Sequence, residues 1–205
     1  MIQPILLQTS YNGISSDVTR QLMRYLPSSW QYIHFTNEQQ EEYILKNPLP
    51  TFDNMIDLYR SLNGAHKSDL FRFYYLYING GVFIDSDAML TTNITDVIKN
   101  YSFFSAISEP SNQLLLNGFM GIEKHHIISL TMLKSIYNIN PSLLNDKNYY
   151  FVICNFLFHV VKRYNEPSIK LYNELKIDDN VTGVYNKKQL LLKHYWRNKI
   201  VEVKY

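Results

Sequence analysis

The sequence predicts an α/β fold: one domain with a mixed, mostly parallel sheet flanked by helices. Three observations predict it. Strands and helices alternate from the amino terminus, a short apolar strand near the middle of the chain ends in two carboxylates, and no linker divides the 205 residues. That length is enough for a core that needs no disulfide or metal staple.

The first part of the chain alternates short apolar strands with amphipathic helices. Short apolar or alternating runs predict strands, and apolar residues three to four apart predict helices. Ser15 or Ser16 can cap the first helix, and Pro48 and Pro50 mark a loop. The expected elements are strand 5–8, helix 16–26, strand 30–35, a helix after 37 and a helix over 52–62.

The segment 65–87 carries the most informative pattern. It begins with a helix over 65–78 that is apolar on nearly all sides and is therefore expected to be buried. Two glycines end the helix, and a short buried strand follows. Asp85 and Asp87 come directly after that strand, at the edge of an open α/β sheet where ligands bind.

The second part of the chain alternates less clearly. Apolar runs predict strands over 103–107, 114–116 and 181–185 and helices over 127–137, 149–161 and 168–175. The chain then ends in a tail from 187 to 205 that is rich in basic and aromatic residues, and we expect it to be flexible.

Composition excludes several classes of protein. A net charge of +2 is too small for a protein that coats nucleic acid, although the basic tail leaves weak association with an anionic membrane surface open. A single cysteine, Cys154, provides no disulfide framework. The amino terminus lacks the pattern of a signal peptide and no apolar run is long enough to cross a bilayer, so we expect a cytoplasmic protein. The excess of Asn, Ile, Tyr and Lys suggests an AT-rich genome.

Two pairs of charged residues could carry chemistry. Asp85 and Asp87 can both reach one hard divalent cation, Mn²⁺ or Mg²⁺, although a solvated acidic turn would look the same. Asp69 and Arg72 lie on one face of the apolar helix, where buried charges must be paired or bound to a ligand. They form either a structural salt bridge or a site in which Arg72 faces a phosphate and Asp69 faces sugar hydroxyls.

The segment 65–87 reads AHKSDLFRFYYLYINGGVFIDSD. It resembles the glycosyltransferase sugar-binding region that contains the D-x-D motif, as in glycosyltransferase family 32. The shared pattern is S-D-x-x-R, then L-Y-x-x-G-G, a hydrophobic strand and D-x-D, and each part is present at the expected spacing. The resemblance implies a single GT-A domain with a nucleotide-binding part over about 1–122 and a helical acceptor part with the basic tail over 123–205.

The resemblance also implies a function. It indicates a metal-dependent retaining glycosyltransferase that moves a hexosyl or N-acetylhexosaminyl group from a UDP- or GDP-sugar to a glycan or another hydroxyl acceptor. Mn²⁺ or Mg²⁺ would bridge the diphosphate to the D-x-D motif. The residues implied are Asp69, Asp85 and Asp87 for catalysis, Gln8, Thr9, Arg72, Ser86, Asn117, Lys193 and Trp196 for donor binding, and Asp85, Asp87 and His194 for the metal.

Two other functions fit parts of the sequence. The chain keeps Gln8 and Thr9 of the family's H-Q-T-W element but has Leu7 and Ser10 at the other two positions, which would suit an inactive module that binds a nucleotide-sugar or a glycan. A phosphohydrolase of the haloacid dehalogenase type also places D-x-D after a hydrophobic strand and would use Asp85 as its nucleophile. In that class, however, the motif normally follows the first strand.

Overall fold

The computed structural model describes residues 1–11, 13–108, 111–140, 142 and 151–195, and it confirms the α/β class. Within these ranges the strands are β1 (Ile5–Thr9), β2 (Gln31–Phe35), β3 (Gly81–Ile84), β4 (Ala88–Leu90), β5 (Phe103–Ile107), β6 (Phe119–Ile122), β7 (Ile169–Asp178), β8 (Val181–Asn186) and β9 (Gln189–Tyr195). The helices are α1 (Ser16–Tyr25), α2 (Asn37–Lys46), α3 (Met55–Ser61), α4 (Gly64–Asn79), α5 (Ile94–Ile98), α6 (Ile127–Tyr137) and α7 (Val152–Tyr164).

The described strands form one mixed sheet in the order β2-β1-β3-β6-β5-β7-β8-β9-β4. β1 runs parallel to β2 and β3, and β5 runs parallel to β7, whereas the other five pairings are antiparallel. The sheet is therefore mixed as expected but not mostly parallel. Tight turns join β7 to β8 and β8 to β9, and such short connections can only produce antiparallel neighbours.

Local sequence explains where the important elements begin and end. Thr36 and Gln39 form a reciprocal capping box at the start of α2. α4 ends at Asn79, and the φ of +70° at the following Gly80 is unfavourable for a residue with a side chain. A Cβ on Gly81 would lie 2.8 Å from the carbonyl oxygen of Ile5, so glycine allows β3 to approach β1 closely.

The core lies on both faces of the sheet. α4 packs with α6 and α7 in the larger apolar cluster, and α1 covers the smaller one with β4. The central turns of α4 are buried on all sides, as its composition predicts. Among the described residues, no helix is both long and apolar enough to cross a lipid bilayer.

The structure differs from expectation mainly in the second half of the chain. The predicted helix over 168–175 is strand β7, because pairing with β5 and β8 overrides a pattern that also fits helical spacing. The predicted strand over 114–116 makes only an isolated bridge at Leu115. Residues 189–195 of the expected flexible tail form β9, and β4 and β6 were not expected. The part after residue 123 is therefore not only helical, since it adds three strands to the sheet.

Candidate active site

A cavity of about 790 Å³ opens at the carboxyl ends of β1 and β3. α4 forms one side of it, and β9 brings His194 to the other. The lining residues are Thr9, Ser10, Tyr11, Asn37, Gln40, Gly64, Ala65, Ser68, Asp69, Arg72, Asp85, Ser86, Asp87, Ser108, Leu116, Asn117, Phe151, Cys154 and His194. The expected site residues Thr9, Asp69, Arg72, Asp85, Ser86, Asp87, Asn117 and His194 are all among them.

The turn that carries Asp85 and Asp87 is held by main-chain hydrogen bonds. The N–H of Asp85 donates to the carbonyl of Gly118 at 2.8 Å, and the N–H of Tyr195 donates to the carbonyl of Asp87 at 2.9 Å. A Cβ on Gly118 would lie 1.9 Å from Oδ2 of Asp85, so glycine leaves the space that this carboxylate fills. The turn is thereby tied both to β6 and to β9.

Strand register brings His194 to the two carboxylates. His194 lies opposite Ala88 in the pairing of β4 with β9. Its Nε2 is 3.4 Å from Oδ1 of Asp87 and 3.9 Å from Oδ2 of Asp85. One ligand atom from each of these three side chains lies within 4.8 Å of the other two. Two carboxylate oxygens and one imidazole nitrogen form a donor set that suits a divalent cation such as Mn²⁺.

The charges around the turn shift the ionisation of two groups. Burial alone would lower the pKa of His194, but the carboxylates of Asp87, Glu174 and Asp85 outweigh it and raise the pKa to about 10. Burial raises the pKa of Asp85, and the nearby positive charges of Arg72 and His194 partly offset that rise. A protonated His194 therefore places positive charge next to both carboxylates, in addition to the charge of Arg72 next to Asp85.

Arg72 joins the helix to the turn. Its Nη2 lies 3.3 Å from Oδ1 of Asp69, 3.2 Å from Oδ1 of Asp85 and 3.1 Å from Oγ of Ser68. Arg72 is 3% exposed, and its guanidinium carbon lies 4.0 Å from the centre of the Phe83 ring. Its Nη1 is buried and has no hydrogen-bond acceptor among the described residues. The salt bridge between Arg72 and Asp69 that the sequence offered is present, and it does not involve Nη1 of Arg72.

Asp69 accepts hydrogen bonds from two further side chains. Nδ2 of Asn117 donates to Oδ1 at 2.8 Å, and Nδ1 of His66 lies 3.0 Å from Oδ2. Thr9 forms a hydrogen bond with Ser68, which connects the end of β1 to the same helix. α4, β1 and the segment before β6 are therefore fixed to one another where they line the cavity.

Two of the expected donor-binding residues, Gln8 and Lys193, do not line the cavity. Gln8 is fully buried, and its Nε2 donates to the carbonyl of Asp85 at 3.0 Å, so it supports the turn. Lys193 precedes His194 on β9, and successive side chains point to opposite faces of a strand. Trp196 lies outside the described residues.

Sequence reasoning missed Glu174 and Cys154. Glu174 lies behind His194, with 3.6 Å between Oε1 and Nδ1. The helical interpretation of 168–175 hid it, although a strand reading would have placed it on one face with Tyr172, two residues away. Cys154 lines the cavity, and burial raises the pKa of its thiol to about 12, which keeps it neutral.

Residues 15–104 match the family model described as "Glycosyltransferase sugar-binding region containing DXD motif". The resemblance to a glycosyltransferase is confirmed. Residues 85–87 of this glycosyltransferase-like domain are its D-x-D motif and lie inside the match. No curated protein matches the sequence of the chain.

Comparison with solved structures supports the GT-A fold. The domain is similar to a structure titled "PaToxG Glycosyltransferase", with a TM-score of 0.56 and 11% identity over 80% of this chain and 69% of that chain. Mouse xyloside xylosyltransferase 1 in its apo form matches with a TM-score of 0.41 and 12% identity, covering 82% of this chain and 70% of that one. A197 from STIV matches with a TM-score of 0.38 and 9% identity over 98% and 97%. Only the first score is high enough to support an argument, and it concerns the fold.

Proposed function

We propose that the domain is a metal-dependent retaining glycosyltransferase that transfers a sugar from a UDP- or GDP-sugar to a glycan or another hydroxyl acceptor. The observation that carries the proposal is the convergence of Asp85, Asp87 and His194 on a cavity that also contains Asp69 and Arg72. The family match and the fold support a transferase. The donor, the metal and the stereochemistry are parts of the proposal.

The donor set fits the metal that the D-x-D motif implies. Asp85, Asp87 and His194 would hold Mn²⁺ or Mg²⁺, and hard carboxylate oxygens suit both ions. A bound ion would supply Lewis-acid stabilisation of the negative charge that develops on the departing nucleoside diphosphate. Main-chain hydrogen bonds to Gly118 and Tyr195 hold the backbone of the turn that carries the two carboxylates.

Arg72 and Asp69 form the part of the cavity proposed to face the donor. The buried Nη1 of Arg72 is a donor that a phosphate or sugar oxygen of the substrate can accept from. Asp69 is held by His66 and Asn117, so its oxygens are fixed where sugar hydroxyls could donate to them. Thr9, Ser86 and Asn117 supply neutral polar groups along the same wall.

The retaining stereochemistry, membership of family 32 and a hexosyl or N-acetylhexosaminyl donor rest on the resemblance of segment 65–87. The cytoplasmic location and the contact of Trp196 with the donor stay predictions from the sequence. The phosphohydrolase alternative loses support because Asp85 follows the third strand along the chain and because residues 15–104 match a glycosyltransferase model.

A nucleotide-sugar panel tests the proposal. The chain is incubated with UDP- and GDP-sugars and Mn²⁺, and thermal stabilisation is measured together with release of UDP or GDP. We expect one donor to stabilise the wild type and to be turned over, and the Asp87→Ala variant to lose both effects. Asp179→Asn is the control, because this exposed aspartate pairs only with Lys176 on the β7–β8 turn among the contacts described.

Each outcome of the panel separates the alternatives. Stabilisation without release of nucleotide, even with added acceptor sugars, would identify a binding module. Failure of every donor to stabilise the chain, together with phosphate release from an aryl phosphate in Mg²⁺, would contradict the transferase. An Asp87→Ala variant as active as the wild type would remove the metal site from the proposal.

A further inference from the structure

Glu174 is a buried carboxylate with no role in the proposed reaction so far. It lies in the middle of β7 and is 3% exposed. Oγ of Ser108 donates to its Oε2 at 2.7 Å, and Oγ1 of Thr182 donates to its Oε1. The same Oε1 lies 3.6 Å from Nδ1 of His194, which is an ion-pair distance.

A carboxylate in such a place must be compensated. Burying a charge is costly unless hydrogen bonds and an opposite charge replace the lost water. Two hydroxyl donors and the imidazole of His194 do so here. An apolar residue at this position would need none of these partners. The free-energy cost of burying Glu174 therefore indicates a role that depends on its charge.

The sheet brings the three side chains together from three adjacent strands. Glu174 is on β7, Thr182 on β8 and His194 on β9, and Thr182 lies directly opposite His194 in the pairing of β8 with β9. Ser108 follows β5 and lines the cavity, so it connects the carboxylate to the wall of the site. Glu174 is thus fixed from two sides before it contacts the histidine.

We infer that Glu174 is a positioning residue that orients His194 for metal binding. With its carboxylate next to Nδ1, the tautomer with hydrogen on Nδ1 is favoured, which leaves the Nε2 lone pair facing Asp85 and Asp87. Histidines that bind metals commonly donate their second N–H to a carboxylate. The 3.6 Å between Nδ1 and Oε1 is an ion-pair distance, and a small rotation of the ring would bring Glu174 within reach of that N–H. Glu174 itself faces the opposite side of the ring and is not a ligand of the same ion. The inference rests on the proposed function, since it assumes that His194 binds the metal.

Mn²⁺ binding to the isolated chain tests the inference without any activity measurement. Free Mn²⁺ is followed by electron paramagnetic resonance during titration, with no nucleotide present. We expect Glu174→Gln to weaken Mn²⁺ binding about tenfold to a hundredfold, the range found when such carboxylates are removed. Asp179→Asn removes an exposed carboxylate from the turn between β7 and β8 and should leave binding unchanged.

A double-mutant cycle separates positioning from a general structural role. In a His194→Gln background, Glu174→Gln should cause no further loss of Mn²⁺ affinity, because the ligand through which it acts is gone. An equal loss in both backgrounds would overturn the inference, as would unchanged affinity in the single variant. Melting temperatures in chelator verify that each variant is folded.

Two further variants keep the test decisive. If Glu174→Gln does not fold, Glu174→Asp keeps the charge but withdraws it from His194, and unchanged Mn²⁺ affinity in that variant would overturn the inference. Asp87→Ala reports on the proposed function alone. If it binds Mn²⁺ as the wild type does, the proposed metal site fails, whereas loss of binding in Asp87→Ala with none in Glu174→Gln refutes only the role of Glu174.

Discussion

The two walls of the cavity balance their buried carboxylates in different ways. On the α4 wall, the guanidinium of Arg72 lies next to Asp69 and Asp85 and stays charged at any ordinary pH. On the β9 wall, the imidazole of His194 lies next to Asp87 and Glu174 and can lose its proton. We therefore expect the β9 wall, where His194 can exchange its proton for a metal ion, to be the responsive part of the site, and the α4 wall around Arg72 to be the fixed part.

The largest effect on stability is expected on the fixed wall. Arg72→Ala leaves Asp69 and Asp85 without their buried positive partner, and breaking such a pair costs about 3–5 kcal/mol. Urea unfolding measures the loss. Arg72→Lys keeps the charge but not the planar fork, so it should retain more stability while still binding a nucleotide-sugar less tightly. A small loss in Arg72→Ala would mean that water replaces the arginine and that this wall is less rigid than described.

The second largest effect on stability is expected at Gly118, which contacts Asp85 where the two walls meet. Gly118→Ala places a methyl group where the Asp85 carboxylate lies, so that carboxylate must move. Overpacking of this kind costs about 1–3 kcal/mol. We expect weaker Mn²⁺ binding together with the loss of stability, measured by titration and thermal unfolding. Unchanged Mn²⁺ affinity would show that Asp85 can bind an ion from a different rotamer.

The pH dependence of stability isolates the responsive wall. The pKa of His194 is about 10 in the folded chain, against about 6.5 for an ordinary histidine. In chelator, its contribution to stability should be complete below about pH 6.5 and should disappear as the pH rises through about 10. The difference in melting temperature between wild type and His194→Gln measures this contribution.

Mn²⁺ should reverse this dependence of stability on pH, because an imidazole must be neutral to bind a metal. We expect the stabilisation by Mn²⁺ to increase with pH in the wild type and to depend less on pH in His194→Gln. A pH-independent difference between the two chains in chelator would contradict the assigned protonation of His194.

The smallest effect is expected at Lys193. Its side chain points away from the face of β9 that carries His194, so Lys193→Ala should change donor affinity and stability by no more than about 0.5 kcal/mol. Titration with the donor identified in the panel measures the affinity. A tenfold loss would restore the donor-binding role that the sequence suggested.

The two walls also differ in how far sequence could predict them. The α4 wall lies in one continuous segment, 65–87, in which helix, glycine turn, strand and D-x-D follow in order, so local patterns were enough to find Asp69, Arg72 and Asp85. The residues of the β9 wall come together only through the pairing of strands in the sheet. The 168–175 pattern fits two periods, and only pairing with β5 and β8 decides that it is a strand and that Glu174 is buried. His194 was found through the resemblance, whereas the partner behind it was not.

The central claim is that the two walls meet at one metal ion. A crystal soaked in Mn²⁺ and measured at a wavelength where manganese scatters anomalously tests it most directly. The account predicts one strong anomalous peak in coordination contact with carboxylate oxygens of Asp85 and Asp87 and with Nε2 of His194. A peak that leaves His194 uncoordinated, or no peak near the D-x-D turn in a crystal that binds Mn²⁺ elsewhere, would contradict it.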